Sequence, residues 1–553
     1  MNVPPPKSKP LSLEDLPQWM HPQQRRMDYA FIAVFALCCV IALPWLTRDG
    51  LPASPAAEAQ IARIAEVAEN FQVGVIYPRW ASHFHYGYGS PLFNYIAPLP
   101  HYLGGLHLLL GQSSPDVSFA ALMFTSVFIA GIGMFAHVRR RWGNLAGLLA
   151  TVLYLVSPPL LLNVPYIEAD LSLMMAAAFF PCVLWAGDRV LSSGDGRDIA
   201  LLALFTALLL TSATVMGVLL LIVALLWLAW IVWLEPEHSR RALLMGIVIG
   251  TGLTAFYWLP ALAERNAVHW VPVEEKLRPL SLQEVLRPPL AFDPEQFNRI
   301  ATGELGPAAM GFALLGSVIL LLELRRGEGR PAGTLPAVAF MVPVTLLLIV
   351  AIWIPGRWLD SASTFPVIRR LDLLIPISAC FAILGAQCAR AVETYVQRAL
   401  LRGVGVMLLA AVSTVSSFQI MQPPAFVPYR VDDPLDAYMQ SELRGTFSGT
   451  FQNGQLLPAE LAQLPAPSLA LLDSYRINQV LKVEYASRLP RSNLAILSHS
   501  PVQDTFRVES NRELIIEVLT LNFAGWKASF QGQPVPLRTT PENGFIEVTA
   551  PPG

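Results

Sequence analysis

The chain is poor in charge. Asp, Glu, Lys and Arg make up 14% of its 553 residues, against roughly 25% in an ordinary soluble domain. Beside 54% hydrophobic residues and a mean hydropathy of +0.48, that shortage excludes a soluble enzyme, a disordered chain and a collagen-like or coiled-coil rod. Positive charge is not in excess: 38 Lys and Arg stand against 40 Asp and Glu, a net charge of -2. A nucleic-acid binder would carry a strongly basic footprint, so that partner class is excluded. Cysteine is also scarce. Cys38, Cys39, Cys182, Cys380 and Cys388 all lie in apolar stretches. They read as buried thiols, not as a disulfide framework or a zinc knuckle. No paired pattern of interrupted apolar segments is present, which argues against a transporter.

What remains is a polytopic membrane protein. A spanning helix needs about 20 mostly apolar residues. Eleven segments qualify: 29–47, 116–138, 143–163, 171–188, 198–213, 215–234, 242–262, 306–324, 333–354, 371–388 and 403–420. The stretch 92–110 is apolar too, but holds Asn94, Pro98, Pro100, His101 and His107. Short cytoplasmic loops collect Lys and Arg. If 92–110 crossed, Arg139–Arg140–Arg141, Arg240–Arg241 and Arg325–Arg326 would fall on the side opposite the basic N-terminal tail 1–28. The expectation is therefore an in-plane or re-entrant 92–110 and about eleven spans between 29 and 420. The N-terminus is then cytoplasmic, and 48–115, 164–170, 263–305, 355–370 and 421–553 lie outside. The compartment expected is the inner, or plasma, membrane.

The outer segments hold the polar residues that chemistry would use. Residues 56–71 form an amphipathic helix, with Ile61, Ile64, Ala68 and Phe71 on one face. Glu58, Arg63, Glu66 and Glu69 lie towards the other, as on a helix resting at the membrane surface. Next comes an aromatic run containing Tyr77, Arg79, Trp80, His83, His85, Tyr86 and Tyr88. Arg79 reads as a phosphate ligand, since a guanidinium fork pairs two oxygens at once. It reads equally as a snorkelling arginine in an aromatic belt. His83 and His85 offer two ligands where zinc needs at least three from the protein, so no metal or other cofactor is expected. Glu168 and Asp170 sit at the mouth of two spans, where carboxylates are costly unless paired or wet. They read as a functional pair or as solvated loop acids. Glu264 and Arg265 open the long 263–305 loop. Arg369, Arg370 and Asp372 stand at the outer end of a span, as a lipid-phosphate site or as a simple ion pair. Arg79 is expected to share a pocket with Glu58, Glu168 or Asp170.

The tail from 421 is a different material. Leu481, Val483 and Tyr485, then Leu514, Ile516 and Val518, recur at period two, and Gln531–Gly532 and Asn543–Gly544 mark turns. A loop-and-helix stretch at 432–470 should lead into a β-sandwich-like unit from about 475, outside the membrane.

Tyr77-Pro78-Arg79-Trp80, Tyr86-Gly87-Tyr88-Gly89-Ser90-Pro91-Leu92-Phe93-Asn94, Ala97-Pro98-Leu99 and Tyr102 together resemble a bacterial membrane-protein family. Its label is "6-pyruvoyl-tetrahydropterin synthase-related domain". The likeness continues through Phe256, Tyr257, Trp258, Pro260, Glu264 and Arg265, then Pro366, Arg370 and Leu371, and into the tail at Gly445–Thr446 and Gly525–Trp526. The family looks like a branch of the GT-C integral-membrane glycosyltransferases. That resemblance implies a GT-C-like fold and sugar transfer from a polyprenyl-phosphate carrier to an outward acceptor. Glu58 or Asp170 would be the base. Arg79, Arg265 and Arg370 would meet the phosphate. Trp80, His83, His85, Tyr86, Tyr88, Glu168 and Glu264 would complete the substrate groove. The chain departs from its relatives at Gln60, where they carry His, and at 54–57, where an acid is missing. Those losses suit a second reading, a non-catalytic scaffold or accessory subunit with a membrane-protein partner. Membrane lipid is a partner under either reading.

Overall fold

The computed structural model describes residues 28–552, apart from 112, 236–238, 270–278, 290–301, 328–332, 355–368, 430, 432, 446–455, 462 and 484–493. Among the described residues eight helices are long and apolar enough to cross a membrane: Pro115–Trp142, Asn144–Ile167, Leu171–Ser193, Thr214–Leu234, Pro307–Arg325, Thr334–Ile352, Leu374–Tyr395 and Ala399–Ser416. A ninth forms if Arg240–Leu253 and Ala255–Ala263, bent by 63°, count as one broken span. The other two expected segments appear as shorter helices, Tyr29–Ala42 and Gly196–Ser212, of 14 and 17 residues. A run of apolar residues does not fix where a helix stops, so eleven is not reached by length among the described residues.

Three spans form the centre of the bundle. Asn144–Ile167, Leu171–Ser193 and Leu374–Tyr395 are each 89% buried, whereas Ala399–Ser416 is 17% buried and turns its apolar side chains outward, as lipid requires. Proline shapes one of the central spans. After Leu155 the chain meets Pro158, Pro159 and Pro165, whose rings cannot donate to the ladder, and Pro159–Ile167 widens into a π-helix.

The basic clusters gather at one end of the bundle. Arg141 pairs with Asp188 and Glu235, Arg140 with Asp188 at 2.9 Å, and Arg390 with Glu323 at 2.5 Å. Trp142 ties this end to Gly333 through its indole N–H at 2.9 Å. The Pro115–Trp142 helix has 28 residues and so rises about 42 Å. Its start, beside the first loop, lies at the opposite end.

That opposite end carries a polar cap. Residues 92–110 do not make one long helix. They fold as Leu92–Tyr95 and Leu99–Gly111, of 4 and 13 residues, both too short to cross alone. Gly104 and Gly105 let the second helix press on the Pro55–Gln72 helix, because a Cβ on either would crowd Ile64 or Val67. The tail then covers the first loop. The two-residue strand β1 (Leu51–Pro52) pairs with β2 (Phe426–Val427), and the tail helices Pro434–Leu443 and Leu469–Arg476 pack against the loop. Ala59, Val67, Trp80, Phe84 and Tyr88 share one apolar core with Tyr438, Leu471, Tyr475, Leu521 and Phe545. The loop and the tail are therefore one folded body.

Among the described residues the β-rich part is three small antiparallel sheets. The hairpin β3–β4 (Leu494–Ser500, Gln503–Val508) and the sheet β5–β9–β8 (Leu514–Leu521, Phe545–Ala550, Leu537–Thr539) enclose Val483, Leu494, Ile516, Val518 and Ile546. The third pairs β6 (Ala528–Phe530) with β7 (Gln533–Val535). Gln531 and Gly532, both at positive φ, make its two-residue turn. Of the expected 481–485 strand, Val483 bridges Val518; Glu484 and Tyr485 lie outside the described residues.

Candidate functional site

The Pro55–Gln72 helix sets the geometry of the cap. Its polar face does not look into solvent. Arg63, Glu66 and Asn70 are buried, at 6%, 0% and 0% exposure. Glu58, one turn in, is exposed, and its electrostatic neighbour is Arg444. Gln60 meets the ring of His101 at 3.0 Å. The expected surface helix is thus a core helix, because the tail covers the face that membrane or water would otherwise take.

One buried cluster forms on this face. The Glu66 carboxylate accepts from the Ser82 backbone N–H and hydroxyl at 2.5 and 2.9 Å and meets His83 Nδ1 at 2.8 Å. Glu69, one turn on, reaches the same Nδ1 at 3.4 Å. The tail closes the cluster. The Tyr475 ring lies 4.9 Å from the His83 ring, and Lys482, 2% exposed, donates to the Gly87 carbonyl. Burial alone would strip the proton from His83, but the Glu66 carboxylate overrides it and raises the imidazole above its usual range. Burial pushes the Glu69 carboxyl up to about 7, with Glu66 and Asp433 acting the same way.

The aromatic run is core, not an open groove. Trp80 is 7% exposed and packs edge-on against Trp526, with ring centroids 5.5 Å apart. Tyr88, 2% exposed, donates its hydroxyl to the Ala466 carbonyl at 2.6 Å, and its own carbonyl takes the Leu521 N–H. His85 and Tyr86 adopt positive φ, and their backbone N–H groups both point at the Glu442 carboxylate, at 3.2 and 2.8 Å. Burial lowers His85 to about 4 and raises Glu442 to about 7. Gly89, at φ +90°, lies so close under the Trp80 indole that any Cβ there would collide with it.

Arg79 takes Glu264 as its ion-pair partner, not Glu58, Glu168 or Asp170. Its Nε also donates to Asn94 Oδ1 at 2.9 Å, and Asn94 in turn donates to Glu264 at 2.9 Å. Glu264 reaches this point because the Ala255–Ala263 helix breaks away from Arg240–Leu253 by 63°. Arg265 is exposed beside it.

A second cluster forms at the mouth of the spans. Arg369 pairs with Glu168 at 2.5 Å and with Asp372 at 2.7 Å. Asp170 caps the Leu171–Ser193 helix by accepting the Leu173 N–H at 3.0 Å, and lies within electrostatic reach of Arg369 and Arg63. Burial raises the Glu168 carboxyl to about 7; Arg369 pulls against that shift, and Asp372 and Asp170 add to it. The neighbouring arginine goes elsewhere. Arg370, 2% exposed, donates to the carbonyls of Val350, Ala351 and Ile354 at 2.7, 3.3 and 2.5 Å. It closes the C-terminal end of the Met341–Ile352 helix, whose last carbonyls lack partners of their own. The cation at the mouth is Arg369.

The structure thus joins Glu168 with Asp170, Arg79 with Glu264, and His83 with the unforeseen acids Glu66 and Glu69. It sends Arg370 to a helix end and sets Glu58 beside Arg444. Glu66 and Glu69 had one legible signal, their one-turn spacing. Lys482, Tyr475 and Glu442 had none, being distant in the chain.

Apolar helices bundled beneath a loop-and-tail cap define a polytopic membrane protein. The chain belongs to the family described as "6-pyruvoyl-tetrahydropterin synthase related domain; membrane protein", which it matches over residues 93–421. No curated protein matches it by sequence. Solved structures similar to it include the arabinofuranosyltransferase AftD from Mycobacteria, at 16% identity and a TM-score of 0.44 over 72% of this chain and 27% of that one. The Archaeoglobus fulgidus oligosaccharyltransferase in the apo form follows at 14% identity and 0.43, over 82% and 64%. ArnT from Cupriavidus metallidurans bound to undecaprenyl phosphate stands at 14% and 0.42, over 72% and 77%. The chain spans less than two thirds of the length of the first two.

Proposed function

We propose that the protein is a GT-C-like glycosyltransferase working at the capped end of its bundle. It would move a sugar from a polyprenyl-phosphate carrier to an acceptor on the outer face of the plasma membrane, with the N-terminus cytoplasmic. The mouth cluster is the observation that carries this reading. Sugar transfer needs a carboxylate for the acceptor proton and a cation for the leaving phosphate. Glu168, with its carboxyl raised to about 7, is poised to gain and lose a proton near neutrality. Arg369, 26% exposed, stands against it with donors for a phosphate. The acceptor oxygen bonds to the anomeric carbon while the bond from that carbon to the phosphate oxygen breaks. The carrier phosphate leaves with the electron pair towards Arg369, and Glu168 takes the proton. Asp170 holds the turn in place through its cap.

The test is transfer of radiolabel from polyprenyl-phosphate-linked sugars in membranes containing the protein, with thermal stabilisation by undecaprenyl phosphate as a binding readout. Both signals should fall in Arg369→Ala, and transfer alone in Glu168→Gln. Absence of both signals in the wild type would overturn the reading. A scaffold with a membrane-protein partner would then take its place. One observation favours that rival: the tail seals the aromatic motif, and Glu264 already neutralises Arg79.

A further inference from the structure

We propose that Glu66, Glu69 and His83 bind one divalent cation, zinc by its ligand set, which fastens the first loop beneath the tail. The three ligand atoms lie within 4.8 Å of one another. Glu66 Oε2 is 2.8 Å and Glu69 Oε2 3.4 Å from His83 Nδ1. Two ligands held at about 2.1 Å on a tetrahedral zinc stand about 3.4 Å apart, so the Glu69 distance fits and the Glu66 distance needs only a small opening. One imidazole nitrogen and two carboxylate oxygens leave the fourth position to water, as in open zinc sites.

Two further features suit a cation here. The first is Tyr475. Its side chain is 8% exposed, its hydroxyl has no hydrogen-bond partner, and it lies within electrostatic reach of both Glu66 and Glu69. The second is Asn70, wholly buried, whose Oδ1 is also unpaired. It sits one turn beyond Glu66 on the same helix face. Buried polar atoms are rarely left without a partner, and a metal-bound water is one that this cluster could supply. The site goes beyond the proposed sugar transfer and does not depend on it, because no ligand belongs to the mouth cluster.

The experiment uses the full chain in detergent, free of affinity tag and stripped with a chelator. Zinc chloride is added, and metal content, calorimetric affinity and melting temperature are read. One zinc per chain and a raised melting temperature are expected. Glu69→Gln, at a partly exposed position, should keep the fold by circular dichroism yet bind zinc at least tenfold more weakly. His83→Ala should bind none. Cobalt should give the intense visible bands of a tetrahedral site in the wild type and lose them in Glu69→Gln. Wild-type zinc content no higher than that of a folded Glu69→Gln variant, or no change in melting temperature with zinc, would overturn the proposal, whatever the transfer assay shows.

Discussion

Two polar clusters share one end of the molecule and are built on opposite principles. At the mouth of the spans, one guanidinium stands between two acids, and Arg369 keeps 26% of its side chain exposed. Under the tail, two acids converge on one imidazole, and Glu66 is wholly buried. The first leaves its cation reachable, as turnover requires. The second centres on a wholly buried carboxylate, Glu66, although Glu69 keeps 34% of its side chain exposed, so Glu66 acts first on stability. Burial of the central group, more than residue type, separates a group that can react from one that holds the cap together.

The comparison breaks most readily at Glu66. Glu66→Ala leaves His83 and the Ser82 N–H without their acceptor, so a loss of about 3–5 kcal/mol is expected, read by thermal unfolding in detergent. Glu168→Ala should cost much less stability; equal losses would erase the distinction between the two clusters.

The cap should also weaken as pH rises. The Glu442 carboxyl is raised from 4.5 to about 7, so the folded chain holds that proton longer than the unfolded one. Its contribution to stability falls as pH climbs from about 5 to 7 and is flat above, a drop of at most about 3 kcal/mol. Melting curves of Glu442→Gln should show a shallower pH slope than the wild type, and an unchanged slope would refute the assignment.

At the mouth cluster, Glu168→Gln should reduce transfer at least about 100-fold with little change in melting temperature. Wild-type transfer should rise as pH climbs through about 7, where Glu168 gives up its proton.

Gly89→Ala tests the seam between loop and tail. A Cβ at φ +90° meets the Trp80 indole, so a loss of about 2 kcal/mol is expected in the same melting assay. The smallest effect belongs to Glu264→Gln. Arg79 and Glu264 are 36% and 26% exposed, and such pairs contribute about 1 kcal/mol or less.

Sequence by itself determined the material of this protein. Low charge and long apolar runs require membrane-spanning helices, because only a helix satisfies its own backbone in lipid. The helix at 55–72 and the strand at 514–521 were legible from period, and the turn at 531–532 from its residues, because local steric rules act over a few positions. The basic clusters argued for an in-plane or re-entrant segment at 92–110, and the structure shows two short helices there. Tertiary structure decided the rest. Nothing local distinguishes Arg369 from Arg370, yet one meets two carboxylates and the other closes a helix end. The choice rests on where the Met341–Ile352 helix stops, some twenty residues away. Nor could helical periodicity show that the polar face of 55–72 is buried. That depends on a tail nearly four hundred residues further on, which folds back and replaces water with Tyr475 and Lys482.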